Sequence, residues 1–263
     1  MKYVKKASII FMLYCITSMY SPEVHAEFSR YRGIIHLQSI VSHGAFTLEK
    51  IVSEAQKRGI DIVIPTDTAL KRIEYGVSPF RELLKKTAAF PSVLSLGPDV
   101  YLNEIKLCRN KFPDMVIIPG VEAIPFYYWE GNLWKKNLTL RKINKHMLII
   151  GFEDAHMYTH MPVISNPQQY VWKMRFLWPL LPVICVKANK FDPYHGDQYG
   201  EKPYQMLIDY VTSKGGIIMW AHPDTLDYEK PRQVGPIYIK SNPYGEALIN
   251  TQNYDGFAYF RQG

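Results

Sequence analysis

Short apolar runs recur along the chain, separated by stretches with helical spacing. "GIIHLQ" (Gly33–Gln38) reads as a strand that finishes on polar side chains. Leu48, Ile51, Val52 and Ala55 then recur on one helical face. Thr47 is placed to cap that helix, and Lys57, Arg58 and Gly59 to stop it. "DIVIPTD", "MVIIPGVEA", "KHMLIIGF", "IIMWAHPD" and "YDGFAYF" read as further strands, and "KPYQMLIDYVTSKGG" as a helix stopped by glycines. Helices are also predicted at Pro79–Ala88 and Val100–Asn110. Apolar runs alternating with helices predict an α/β fold with a mostly parallel sheet buried on both faces. The segment "YVWKMRFLWPLLPVICV" (Tyr170–Val186) is apolar enough to raise the question of a membrane. Lys173, Arg175, Pro179 and Pro182 argue against a span, and the segment reads as core-packing helix and loop, or as a lid.

One regularity cuts across these elements. His36, Asp67, Glu122 and His222 each sit at or just past the C-terminal end of an apolar run. In parallel α/β sheets and barrels that edge is where ligands and catalytic groups collect. His146 departs from the pattern because it begins its run, which predicts that its strand is traversed differently.

The N-terminus changes the picture of where the chain works. Lys2, Lys5 and Lys6 precede a mostly apolar stretch from Ala7 to Tyr20, and Val24-His25-Ala26 offers a cleavage site. That is the layout of a secretory signal peptide over residues 1–26, leaving one domain at 27–263 and no stable membrane span after cleavage. The formal charge of +7 is scattered, with no basic run beyond pairs such as Lys135-Lys136. It suits a small anionic substrate better than a nucleic-acid groove. Cys108 and Cys185, far apart and outside any Cys-x-x-Cys, make neither a disulfide framework nor a zinc knuckle, and read as two buried thiols, with a single bridge in an oxidising compartment as the alternative.

Histidines and carboxylates gathered on strand ends suit borderline divalent metals such as zinc, manganese or iron. A metal lowers the pKa of its bound water, so hydroxide is available near neutral pH to attack phosphorus or a carbonyl. Taken singly, His36 or His146 is as well explained by a hydrogen-bonded structural role. His156, His160 and His195, in polar turn-rich stretches, read as surface residues. Asp67 in "PTDT" could equally cap the segment that follows. Lys71 and Arg72 come next, and an arginine there has the shape to grip a phosphate, with a solvated loop charge as the plain alternative.

Together these residues resemble a known family. "HLQSIVSHGAFTLEKIVSEAQKRGIDIVIPTDTA", "IPGVEA", "KHMLIIGF", "GGIIMWAHPD" and "YDGFAYF" occur in the order and rough spacing of the PHP (polymerase and histidinol phosphatase) superfamily, from about Gly33 to Phe260. The resemblance implies a distorted (β/α)7 barrel, incomplete at its C-terminus because the closing Asp-x-His motif is absent. Joined to the signal peptide, it implies an exported metal-dependent hydrolase, a phosphoesterase, using one to two divalent ions. Glu122, His146 and His222 match ligands of one ion, His36 and His43 match further ligand positions, and Asp67 and Arg72 would assist catalysis. Gln38 stands where the family has the second histidine of a His-x-His pair, so it takes a ligand position as a weak neutral donor. Thr68 stands where another histidine is expected. These departures imply an alternative, a degenerate PHP-fold module that binds metal or a partner with little or no turnover.

Overall fold

The computed structural model describes residues 29–78, 80–177, 181–223, 231–240 and 244–258. The expected signal peptide lies outside the described residues. No described helix is long and apolar enough to cross a membrane. The elements below all belong to the unit Arg32–Gly263.

A seven-stranded sheet organises the fold. Its strands are β1 (Gly33–Leu37), β2 (Ile62–Thr68), β3 (Val116–Ile117), β4 (Gly120–Ala123), β5 (Met147–Ile150), β6 (Ile217–Ala221) and β7 (Gly256–Ala258). They lie in the order β1-β2-β4-β5-β6-β7, with β3 also paired to β2. β1, β3 and β4 run parallel to β2, and β7 runs parallel to β6. β5 is antiparallel to both neighbours, β4 and β6. The different traversal expected from the place of His146 is therefore a reversed strand.

Strand alternation decides what each face sees. Val63, Val121, Ile149 and Ile218 join one core with residues of α1 (Leu48–Lys57), α2 (Pro98–Lys111), α3 (Ala155–Thr159) and α4 (Lys202–Ser213). α1 starts behind Thr47, whose side chain accepts from the backbone N–H of Lys50, as its sequence predicts. On the other face Leu148, Ala221 and Ala258 form a small cluster with Ile35 packed against it. β1 and β7 end the hydrogen-bonded order, yet Ile35 of β1 packs against the cluster that includes Ala258 of β7. The sheet is thus strongly curled. It is mixed rather than all-parallel, and among the described residues it is not closed by pairing of β1 with β7, so the expected (β/α)7 barrel is seen here as a curled open sheet with few helices.

Two elements differ from their sequence reading. Within Pro79–Ala88, predicted as helix, Lys85–Ala89 is a strand paired with Arg72–Gly76 in a hairpin. At Gly76 the chains approach so closely that a Cβ would lie 2.0 Å from the Arg81 carbonyl oxygen, so tertiary pairing overrides helical spacing. Tyr170–Leu177 and Leu181–Asn189 form a second antiparallel hairpin in place of helix and loop, in line with their β-branched and aromatic content. Trp172 and Met174 are 71% and 74% exposed, so one face of this ribbon is not core. Cys108 is buried as expected, whereas Cys185, on the same ribbon face, is exposed, and both are free thiols.

Candidate metal centre

Glu122 stands on β4 with its side chain inside the curl, 3% exposed. Its Oε1 meets three imidazoles: His36 Nε2 at 3.2 Å, His146 Nδ1 at 2.6 Å and His222 Nε2 at 3.3 Å. Its Oε2 accepts from the Gln38 amide at 2.7 Å. His222 Nε2 also lies 3.2 Å from His146 Nδ1. His36, Glu122 and His222 each place a ligand atom within 4.8 Å of the others, the spacing of a three-ligand metal set.

The curl of the sheet makes this possible. Four strand-to-strand steps separate β1 from β6, about 19 Å in a flat sheet. The His36 and His222 rings nevertheless stack with centroids 5.6 Å apart and planes 15° from parallel. Local backbone detail finishes the alignment. Ile35 pairs with Ile64 and Leu37 with Pro65, leaving His36 as a bulge with φ of 66°. A bulge shifts the alternation by one residue. Ile35 and His36 therefore both face inward, while Leu37 turns to the helix-side core. His222 also has a positive φ, 36°, just past the end of β6. Two candidate ligands thus sit in backbone conformations that side chains seldom adopt, a pattern that concentrates at functional sites.

His146 precedes β5. Because β5 is reversed, its start lies at the same sheet edge as the C-terminal ends of β2, β4 and β6. Its Nε2 donates to the Ile143 carbonyl at 3.0 Å, which turns Nδ1 toward Glu122. Tyr244 fixes the backbone there: its hydroxyl accepts from the His146 N–H at 3.0 Å and donates to the Asn144 carbonyl at 2.6 Å. Its ring lies edge-on to Trp220 and His222. Tyr244 was missed by sequence reading, since a tyrosine in a polar stretch far from every motif carries no signal of this role.

Burial alone would raise the Glu122 carboxyl. The His146 charge outweighs it, with hydrogen bonds from His146, His222 and His36, and the group is held well below the usual carboxylate range. For His146 burial opposes the charged ring, but the adjacent Glu122 carboxylate and its hydrogen bond raise it above the ordinary histidine value. The centre is therefore built around a carboxylate that stays ionised and is balanced by positive charge.

Other expected site residues lie elsewhere. Thr68 pairs directly with Glu122 and shares its face, so Asp67, one residue earlier, faces the helix side. Asp67 is fully buried and accepts from Ser39 N at 2.7 Å, Ser39 Oγ at 2.9 Å and Ser42 Oγ at 2.6 Å. It ties down the turn after β1. Arg72 is also otherwise engaged: its Nε donates to Glu74 Oε1 at 2.6 Å, and its guanidinium lies 5.2 Å from the centre of the Tyr170 ring. Both contacts belong to the hairpin side of the molecule, and neither touches the Glu122 centre. His43 is exposed in the turn Ile40–His43, outside the three-ligand set. Gln38 is at the centre, but there its amide donates to Glu122.

No family model matches the sequence, and no curated protein matches it. Solved structures do match. One is a crystal structure from Bifidobacterium adolescentis of a protein inferred to be a metal-dependent phosphoesterase. It is 13% identical over 88% of this chain and 78% of that one, with a TM-score of 0.40.

Proposed function

We propose that this chain is an exported metal-dependent hydrolase that cleaves phosphoesters of small anionic molecules. The observation that carries the reading is the convergence of His36, His146 and His222 on one oxygen of Glu122, a borderline-metal donor set gathered from three separate parts of the sheet. The resemblance to the PHP superfamily in the same residues supports it. A divalent ion held by His36, Glu122 and His222, with His146 beside them, would supply an activated water and polarise the scissile group. Gln38 caps Oε2 with a donor amide, which favours one ion over two because that oxygen is not left free to bridge. The chain's own residues set the rest: the Ile143 carbonyl fixes the His146 tautomer, and Tyr244 fixes its backbone.

The test is to purify the chain without chelators, measure bound zinc, manganese and iron, and assay p-nitrophenyl phosphate with each ion added. About one ion per chain, with turnover that vanishes in Glu122→Gln, is the expected result. A protein that takes up no ion and gains no activity with any of the three overturns the proposal.

A second reading is favoured by Gln38, Asp67 and Arg72, three residues engaged in contacts within the protein rather than set out for catalysis. In that reading the centre binds an ion without turnover. One bound ion with no hydrolysis of any phosphoester tested would select it.

A further inference from the structure

We propose that His156 and His160 form a second transition-metal site, a two-histidine chelate for a borderline ion such as Ni2+, Cu2+ or Zn2+. It is independent of the centre around Glu122. α3 follows the end of β5, whereas His146 precedes its start, so the two sites belong to opposite edges of the sheet.

The residues are four apart, on and just after α3, a spacing that puts both side chains on one side of a helical turn. Their rings lie side by side, with centroids 3.7 Å apart and planes 21° from parallel. Two metal–nitrogen bonds of about 2.1 Å in a roughly tetrahedral site span about 3.4 Å between nitrogens. A modest rotation of the exposed His156 ring therefore brings one nitrogen of each onto a shared ion.

One ring is already oriented for that task. His160 Nδ1 lies 2.9 Å from the His156 carbonyl oxygen, which only accepts, so Nδ1 carries the proton. Thr159 Oγ1 lies 3.0 Å from the same nitrogen. The lone pair is thereby assigned to Nε2. A backbone carbonyl holding the far nitrogen is the usual support of a metal-bound histidine.

The backbone that carries the pair is anchored on its inner side. Tyr158 is fully buried, and its hydroxyl donates to the Phe152 carbonyl at 2.8 Å. The Asn166 amide donates to the Tyr158 and Met161 carbonyls at 3.1 and 3.0 Å. Tyr210 donates to the Met157 carbonyl at 2.8 Å, and Asp154 caps the turn by accepting from His156 N at 2.9 Å. Binding would order only two side chains that already stack, so little conformational freedom is lost.

The neighbouring carboxylates do not complete a three-residue set. Glu153 is held by both terminal nitrogens of Arg109, at 3.0 and 2.7 Å, and Asp154 Oδ1 serves the cap. With two protein ligands and solvent in the other positions, the site selects ions that favour imidazole and rejects Mg2+ and Ca2+. It would also exchange its ion faster than the buried centre.

The experiment is a Ni2+ titration of the full chain by calorimetry, run on the native protein, His156→Gln, His160→Gln and the control His43→Gln. Cu2+ electron paramagnetic resonance is recorded on the same four. The native chain and His43→Gln are expected to show a Ni2+ step that each site variant weakens tenfold or more, because the chelate is lost. Their Cu2+ spectra are expected to carry nitrogen coupling from two imidazoles, reduced in either site variant. Zinc content of the Glu122 centre should be the same in all four. A Ni2+ affinity unchanged in both site variants, no Ni2+ binding by the native chain, or equal competition by Mg2+ overturns the proposal. His156 is exposed and His160 half-buried, and the Cu2+ spectrum of the native protein, recorded with the Glu122 centre filled with zinc, decides the matter even if a variant misfolds.

Discussion

The Gln38 amide lies 2.7 Å from Glu122 Oε2 and donates to the one carboxylate oxygen that the three imidazoles leave alone. Glutamine at this position is therefore a partner of the carboxylate, and its chemistry differs from that of an imidazole facing an ion. Replacing it by alanine removes a hydrogen bond to a buried charge, worth about 1.5–3 kcal/mol. Gln38→Ala should lower the urea midpoint accordingly while still binding one ion. Gln38→His should instead raise the measured stoichiometry above one. An unchanged ion count in Gln38→His would show that the second place is blocked by more than this amide.

Tyr244 should affect metal binding without touching the ion. Tyr244→Phe keeps the ring against Trp220 and His222 but loses the hydroxyl that joins His146 N to Asn144 O. Supports one layer out from a metal typically account for 10–100-fold in affinity. A fall of about tenfold in zinc affinity by competition with a chromophoric chelator is expected, with circular dichroism unchanged. Native-like affinity would limit Tyr244 to packing.

Asp67 should behave as a stability residue. Asp67→Asn weakens an acceptor that serves three buried donors in the turn after β1, at a cost of about 1–3 kcal/mol. Chemical denaturation should register that loss. The folded fraction should retain its bound ion, because Asp67 lies on the opposite face from Glu122.

The Arg72–Gly76 hairpin should be acid-sensitive. Burial pushes the Glu74 carboxyl up, but hydrogen bonds from Lys85 and Tyr170 and the charges of Arg72 and Lys85 outweigh it and leave it below its ordinary value of 4.5. A carboxyl depressed by folding binds fewer protons in the native state, so it contributes stability at higher pH. That contribution is complete above the unfolded value and disappears as pH falls through the native one. Urea midpoints should therefore drop below about pH 4.5, and Glu74→Gln should flatten that drop. Parallel acid limbs in the two proteins would place the sensitivity elsewhere.

Much of the frame was legible because apolar runs of strand length alternate with capped helices. Thr47 and the helix it caps lie where the sequence puts them. The odd position of His146 gave away the one reversed strand, since a polar residue at the start of an apolar run reaches the common edge only if that strand runs backwards. The failures share a cause: sequence shows which residues alternate but not which residue on the next strand they face. Asp67 was the candidate in that stretch until the pairing of Thr68 with Glu122 put Asp67 on the opposite face. The bulge at His36 was equally hidden, because one unpaired residue leaves no compositional trace. Arg72 was read as a loop residue, gripping a phosphate or solvated, although on a strand it lies two residues from Glu74 and therefore on the same side.

The reversal of β5 has a consequence for how this molecule could diversify. Since β4 ends and β5 begins at one rim, the whole connection from Ile124 to Lys145 departs from and returns to the edge that carries Glu122 and His146. It has no need to cross the sheet. Residues could be added at its exposed tip, Leu133–Asn137, without threading past the helix-side core. Of the two connections that reach β5, this is the one in which new recognition surface could accumulate beside a fixed set of chemical groups.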